Sequence, residues 1–349
     1  MIGALLSHGA AAAKVRAMYA KRLTPEDFAR IAAQRTVPDV VQFLKAHPGW
    51  RGAFDASFDE TRRGPLEEGL RRHLLSEYTR IIRFIAREDR FITYDRILQS
   101  DMEQIMRFLR YAQVGRADDY RPDLPPSIYR QSRIDYDLLS HASTYEEMMQ
   151  AVAGARFHGA LSRLPLVSGG FPDYMSVEMI MRNHYYRELM NLVDKRYRGR
   201  EYKLLREAVG AQADMINLTI IMRVRKFFPG QRDAVLPMLL PVRYKLTPAY
   251  VNRLYTAQTD ESAEALLREG PYGKRLDDRR ISRIEDFYYR FLFDFNRRIL
   301  KSGIPTVYTP SAYLGLRDVE LRNLIAAIEC VRYGVSPDKA PAYLFGVPM

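Results

Sequence analysis

The stretch LRRHLLSEYTRIIRFI, residues 70–85, decides the fold class. Its apolar positions Leu70, Leu74, Leu75, Tyr78, Ile81, Ile82 and Ile85 recur at spacings of three, four and seven. Arg71, Arg72, Glu77, Arg80 and Arg83 fall between them. A helix of 3.6 residues per turn gathers such positions on one face, so the spacing predicts an amphipathic α-helix with an apolar stripe. The period returns in Met181, Tyr185, Leu189, Leu192 and Val193, in Ile284, Phe287, Tyr288, Phe291, Phe295 and Ile299, and in Leu321, Leu324, Ile325, Ile328 and Val331. No run alternates convincingly with period two, so the chain is expected to be all-α and its aromatic stripes to be core.

Helix starts are written three times over. Thr24-Pro25-Glu26-Asp27 has a threonine N-cap, proline in the first turn and acids against the helix dipole, and Thr247-Pro248 repeats it. Both follow a leucine. Further on come TVPDVVQFL from Thr36, TYEEMMQAV from Thr144 and TDESAEALL from Thr259, at phases of 108 and 115 residues. Distal landmarks agree: SDMEQIMRFLR around Asp101, ADMINLTIIMR around Asp214 and DVELRNLIAAI around Asp318 each set an acid shortly before an amide. These amides, Gln104, Asn217 and Asn323, lie at phases of 113 and 106. A repeat near 110 residues is too long for a short-unit solenoid, so three similar helical units are expected. Pro-rich stretches at 116–127 and 227–241 separate them, giving 1–122, 123–238 and 239–349. The middle copy departs from the others, having Tyr136-Asp137-Leu138 near the place of Leu-Thr-Pro, and the first copy has glutamine at 104 instead of asparagine.

Composition narrows the function classes. The 349 residues are 47% hydrophobic and 28% charged, those of a folded chain. A net charge of +12 invites nucleic acid, anionic lipid headgroups or an acidic protein, although the basic residues are spread among acids rather than gathered in a tail. The one cysteine, Cys330, excludes an intramolecular disulfide and a multi-cysteine zinc site, fits a reducing compartment, and has apolar neighbours that mark it as core. The opening MIGALLSHGAAAAKVR lacks a basic leader and runs into a helical pattern, so it does not read as a signal peptide. No window carries the roughly 18 uninterrupted apolar residues of a spanning helix, so any membrane role is expected to be peripheral.

Over nearly its whole length the chain resembles the helical central subunit of V-type and archaeal-type rotary ATPases, the C subunit of prokaryotic complexes and the d subunit of eukaryotic ones. The resemblance rests on KVRAMYAKRLTPEDF from Lys14, VPDVVQFLKAHPGW from Val37, LRRHLLSEYTRIIRFI from Leu70, RDVELRNLIAAIECVRYG from Arg317 and the threefold repetition. It implies a pseudo-threefold funnel of helical bundles with its base on the membrane proteolipid ring and its mouth receiving the central shaft. Such a subunit turns with the rotor at the cytoplasmic face, transmits torque between ATP chemistry and proton or sodium movement, and carries no cofactor or metal.

Catalytic signatures are absent from the sequence. No Gly-x-x-x-x-Gly-Lys-Ser/Thr loop could cradle phosphates, and Ser168-Gly169-Gly170 lacks the lysine and hydroxyl that would follow, so it reads as a turn. No histidine pair has the i, i+4 spacing of a zinc site. Glu67-Glu68, Asp118-Asp119 and Glu146-Glu147 are adjacent pairs that diverge on a helix. The remaining candidates are Arg107, Arg110, Arg223, Arg225 and Arg332, which follow the acid–amide landmark in all three copies. They read either as charges offsetting a helix dipole or as contacts to an acidic patch of shaft or ring. A basic helical nucleic-acid-binding protein is the rival reading, motivated by the net charge and by Tyr185-Tyr186-Arg187 and Tyr288-Tyr289-Arg290. It requires those aromatics to be exposed for stacking.

Overall fold

The computed structural model of the chain describes residues 2–54, 62–85, 91–122, 124–164, 170–228, 235–275 and 284–345. Ser168 and Gly169, and residues 229–234 of the second Pro-rich stretch, lie outside them. The described residues are helical, with no strand among them, and form two compact units. Unit one joins Met1–Asp89 to Glu285–Met349, and unit two is Arg90–Ile284.

In unit one the helices are α1 (Ile2–Tyr19), α2 (Pro25–Ala32), α3 (Val37–Ala46) and α4 (Arg63–Ile82) from the N-terminal part, with α15 (Ile284–Lys301) and α16 (Thr309–Arg332) from the C-terminal part. Between them in sequence, unit two contributes α5 (Phe91–Gln113), α6 (Pro126–Tyr129), α7 (Tyr136–His141), α8 (Tyr145–Ala151) and α9 (His158–Leu161). It continues with α10 (Tyr174–Arg196), α11 (Gly199–Phe227), α12 (Val235–Met238), α13 (Pro248–Thr256) and α14 (Asp260–Glu269).

The helix starts lie where the threonines put them. The hydroxyls of Thr24, Thr36, Thr144, Thr247 and Thr259 each accept the N–H three residues on, and Thr24, Thr36, Thr144 and Thr259 complete reciprocal capping boxes with Asp27, Asp39, Glu147 and Ser262. Each box satisfies two of the N–H groups that a helix start otherwise leaves open, worth about 1 kcal/mol. The stops repeat as well. After α5, Gly115 (φ 69) donates to Ala112 O and Arg116 to Tyr111 O; after α16, Gly334 (φ 64) donates to Val331 O and Val335 to Cys330 O. Both are Schellman stops, in which glycine takes the left-handed conformation without a Cβ penalty.

Packing in unit one joins the two ends of the chain. Val40, Val41 and Leu44 of the short pair and Trp50 after it are fully buried against Leu321, Leu324 and Ile328 of α16, each aliphatic contributing roughly 1.5–3 kcal/mol. In unit two α10 packs on both α5 and α11. Two sequence expectations shift. The stripe assigned to residues 70–85 runs out of helix at Ile82, so Ile85 lies in the loop beyond. Glu77, which the pattern put on the polar side, is buried.

Candidate functional site

Each long helix that carries the repeated landmark uses it to hold another part of the chain. On α11, Asn217 is fully buried and clasps one residue, Leu240: its Nδ2 donates to Leu240 O at 3.2 Å and its Oδ1 accepts Leu240 N–H at 2.7 Å. Asn323 on α16 does the same to Phe345, at 2.8 and 2.7 Å. A primary amide is the one side chain whose donor and acceptor match both polar groups of a peptide residue. Gln104 on α5 instead accepts the Tyr120 hydroxyl at 2.8 Å.

Three residues before each amide stands the working acid: Asp101, Asp214 and Glu320. Asp214 accepts the N–H of Tyr244, Lys245 and Leu246 at 3.1, 2.7 and 3.3 Å and the Tyr272 hydroxyl at 2.6 Å. Glu320 accepts Leu23 N–H at 3.0 Å and Trp50 Nε1–H at 2.9 Å. Leu23 and Leu246 are the leucines of the two Leu-Thr-Pro segments, and Trp50 and Tyr272 both reach in from the loop after the second short helix. The sequence pattern singled out Asp318 as the third acid. Asp318 is half-buried, and Glu320 takes the role. The constant acid-x-x-amide spacing is the signal that locates it.

Where Leu-Thr-Pro is missing, the acid is under-supplied. Asp101 is buried and its Oδ1 has no hydrogen-bond partner. Burial pushes its carboxyl from 3.8 up to about 6, against the Ser132 hydroxyl and the Arg156 charge. Burial also raises Asp214, but there the Tyr272 hydroxyl and three backbone N–H groups oppose it.

A buried ion cluster, which the sequence pattern did not reveal, locks α16 to α4. Arg317, 2% exposed, donates from Nε and Nη2 to the two Glu77 oxygens at 3.0 and 3.3 Å, from Nη2 to Gly49 O at 3.1 Å, and from Nη1 to Glu320. Its guanidinium lies 4.4 Å from the Trp50 ring centroid, and Tyr313 donates to Glu77 at 2.8 Å. Burial works against the Arg317 charge, but Glu320 and Glu77 outweigh it and hold the group firmly protonated. Gly49 is required by close approach, since a Cβ there would lie 2.1 Å from Lys21 O.

The five candidate arginines lie on three helix ends and fare differently. Arg110 and Arg223 are exposed, Arg107 half-buried. Arg332 is a quarter exposed and pairs with Glu329 at 3.1 Å. Arg225, 7% exposed, donates to the carbonyls of Tyr255, Ala257 and Thr259 at 3.1, 2.7 and 3.0 Å, satisfying the end of α13 and the entry to α14. Tyr185 and Tyr186 are buried, and Tyr185 donates to Asp95, so those rings are core. Among the described residues no His/Cys/Asp/Glu group could hold a metal, and no helix is long and apolar enough to cross a membrane.

Comparison with known proteins points one way. The A-type ATP synthase C subunit of Thermococcus kodakarensis is 23% identical over 340 residues, covering 93% of this chain and 87% of that protein. Its namesake from Desulfurococcus sp. is 23% identical over 336 residues, covering 94% and 87%. That of Methanosphaera stadtmanae is 24% identical over 275 residues, covering 76% of this chain and 66% of that protein. A family described as ATP synthase (C/AC39) subunit matches residues 11–343. Covering nearly the whole chain, that match makes it a member of the ATP synthase (C/AC39) subunit family.

Proposed function

We propose that the chain is a non-catalytic central-stalk subunit of a V/A-type rotary ATPase, connecting the soluble shaft to the proteolipid ring for ATP-linked proton or sodium transport. It lies peripherally at the cytoplasmic face, with anionic headgroups as a further contact. It is built as three repeats, 1–122, 123–238 and 239–349, in a pseudo-threefold funnel. Support for this reading comes first from family membership and next from one repeated surface feature. Ten residues after each amide, where the long helix ends, stand Val114, Phe227 and Tyr333, which are 68%, 64% and 72% exposed. Large apolar side chains held in water at one register of every copy are what a partner interface uses, and the arginines beside them suit an acidic partner. Arg107, Arg110, Arg223 and Arg332 belong to that contact, with Arg225 bracing it from within.

The test is a binding titration of the purified chain against isolated shaft subunits and the detergent-solubilised ring, with a random-sequence RNA as control. Saturable one-to-one binding to shaft and ring is expected. Retention by RNA with neither rotor component bound would replace the coupling role with nucleic-acid binding.

A further inference from the structure

In unit two, KRYRGREYK (residues 195–203) turns the chain from α10 straight into α11, a turn made possible by Gly199 at φ 58. Lys195, Arg196, Arg198, Arg200 and Lys203 are exposed there, as are Arg243 and Lys245 on the segment that Asp214 holds. A groove of about 340 Å³ opens among them, lined by Arg200, Lys203, Arg206, Tyr202, Tyr244 and Glu207. Some of this charge is committed. Arg206 donates to Asp194 at 3.1 Å and to the Tyr202 hydroxyl at 2.9 Å, and Arg198 donates to the Asp194 and Tyr197 carbonyls. Lys195, Arg196, Arg200, Lys203 and Arg243 make no ion pair among the described residues. The positive end of the α11 dipole and the negative end of the α10 dipole share this turn, with Glu201 in the first turn of α11, so the positive potential comes from the side chains.

Uncompensated cations crowded on one turn repel one another and disfavour the compact state, and nothing among the described residues pairs with these five. A ligand carrying two or more negative oxygens would. Arginine presents its N–H donors in a fork matched to phosphate, lysine adds a point charge, and the tyrosine hydroxyls can donate beside them. We propose that this groove is a binding site for a phosphate-bearing anion, held by Arg200 and Lys203, supplied either as a free phosphate compound or as a phospholipid headgroup. The site does not depend on the rotary reading, because it is tested on the purified chain without shaft or ring.

The experiment uses the full chain, the R200Q/K203Q variant, and an R130Q/R133Q control that removes the same charge from exposed positions elsewhere in unit two. Pyrophosphate is titrated by calorimetry. In parallel, sedimentation is measured with phosphatidylcholine vesicles containing or lacking phosphatidic acid. In whichever arm binds, the groove variant is expected to weaken roughly thirtyfold while the control holds its affinity. Binding of pyrophosphate identifies a free anion as the ligand, and binding confined to phosphatidic-acid vesicles identifies the headgroup. Equal weakening in both variants, or absence of binding in both arms, overturns the proposal. All four substituted side chains are exposed, and unchanged melting curves verify that the fold is intact.

Discussion

Asp101 and Asp214 both stand three residues before an amide, and the difference between them comes down to hydrogen bonds received. Asp214 collects four donors, whereas Asp101 is left with an unpartnered buried oxygen and a carboxyl raised to about 6. A carboxyl raised on folding holds its proton more tightly in the native state. Its stabilising effect is therefore present below its unfolded value near 4 and is lost as pH rises through 6, by about 3 kcal/mol at most. Replacing Asp101 with asparagine should raise the melting temperature at pH 7.5 and change it little at pH 4.5. Equal effects at the two pH values would mean the carboxyl is not protonated in the fold. Glu77 is the opposite case, a carboxylate whose removal strands a charge. Glu77→Ala leaves Arg317 buried with Glu320 alone and should cost about 3–5 kcal/mol by chemical denaturation. The double change Glu77→Leu with Arg317→Met should cost clearly less than the two single changes added together.

Among the elements, the three landmark helices hold segments at different distances along the chain: Asn323 and Asn217 hold residues 22 and 23 places on, Gln104 receives Tyr120 16 places on, and Glu320 reaches back to Leu23. Asn217→Ala removes both bonds to Leu240 and leaves a buried N–H and C=O unsatisfied, for a loss of about 2–4 kcal/mol. Hydrogen exchange at Leu240 and Leu246 should quicken before the global melt changes in shape, and unchanged protection there would deny the clasp its role. The helix starts and the amides were legible in the sequence because their determinants are local: a threonine and the residue three places on, a period of 3.6, a repeat phase. Partners chosen across the chain were not. Nothing near Glu77 announces that Arg317, 240 residues on, will draw it inside. Nor does the end of α11 disclose that Arg225 caps carbonyls 30 to 34 residues ahead. Asp318 and Glu320 both stand within two turns of the amide, but only Glu320 keeps the three-residue spacing from acid to amide that Asp101 and Asp214 have, and it is Glu320 that accepts Leu23 N–H.

On the proposed coupling role, the whole molecule has to be stiff inside and adhesive at chosen points, and the two requirements fall on different residues. Stiffness comes from the ion cluster, which is buried, and from the clasps, whose amides and acids are buried on their helices. On that role adhesion falls to Val114, Phe227 and Tyr333, each ten residues after an amide and exposed. Exposed substitutions ordinarily move stability by no more than about 0.5 kcal/mol, whereas an aromatic anchor buried by a partner contributes about 2 kcal/mol or more to binding. The triple change V114S/F227S/Y333S should therefore leave the melting temperature within a few degrees while weakening retention by the shaft subunits or the ring at least thirtyfold. Charge should act on another axis. Arg110→Gln with Arg223→Gln should slow association and flatten its dependence on salt, with a smaller effect on dissociation, because exposed charges steer encounter more than they hold a complex. If the serine triple bound both rotor components with unaltered affinity, these helix ends would be ordinary solvent-facing termini, and the partner contacts would have to be sought on the short helix pairs that the acid–amide clasps hold in place.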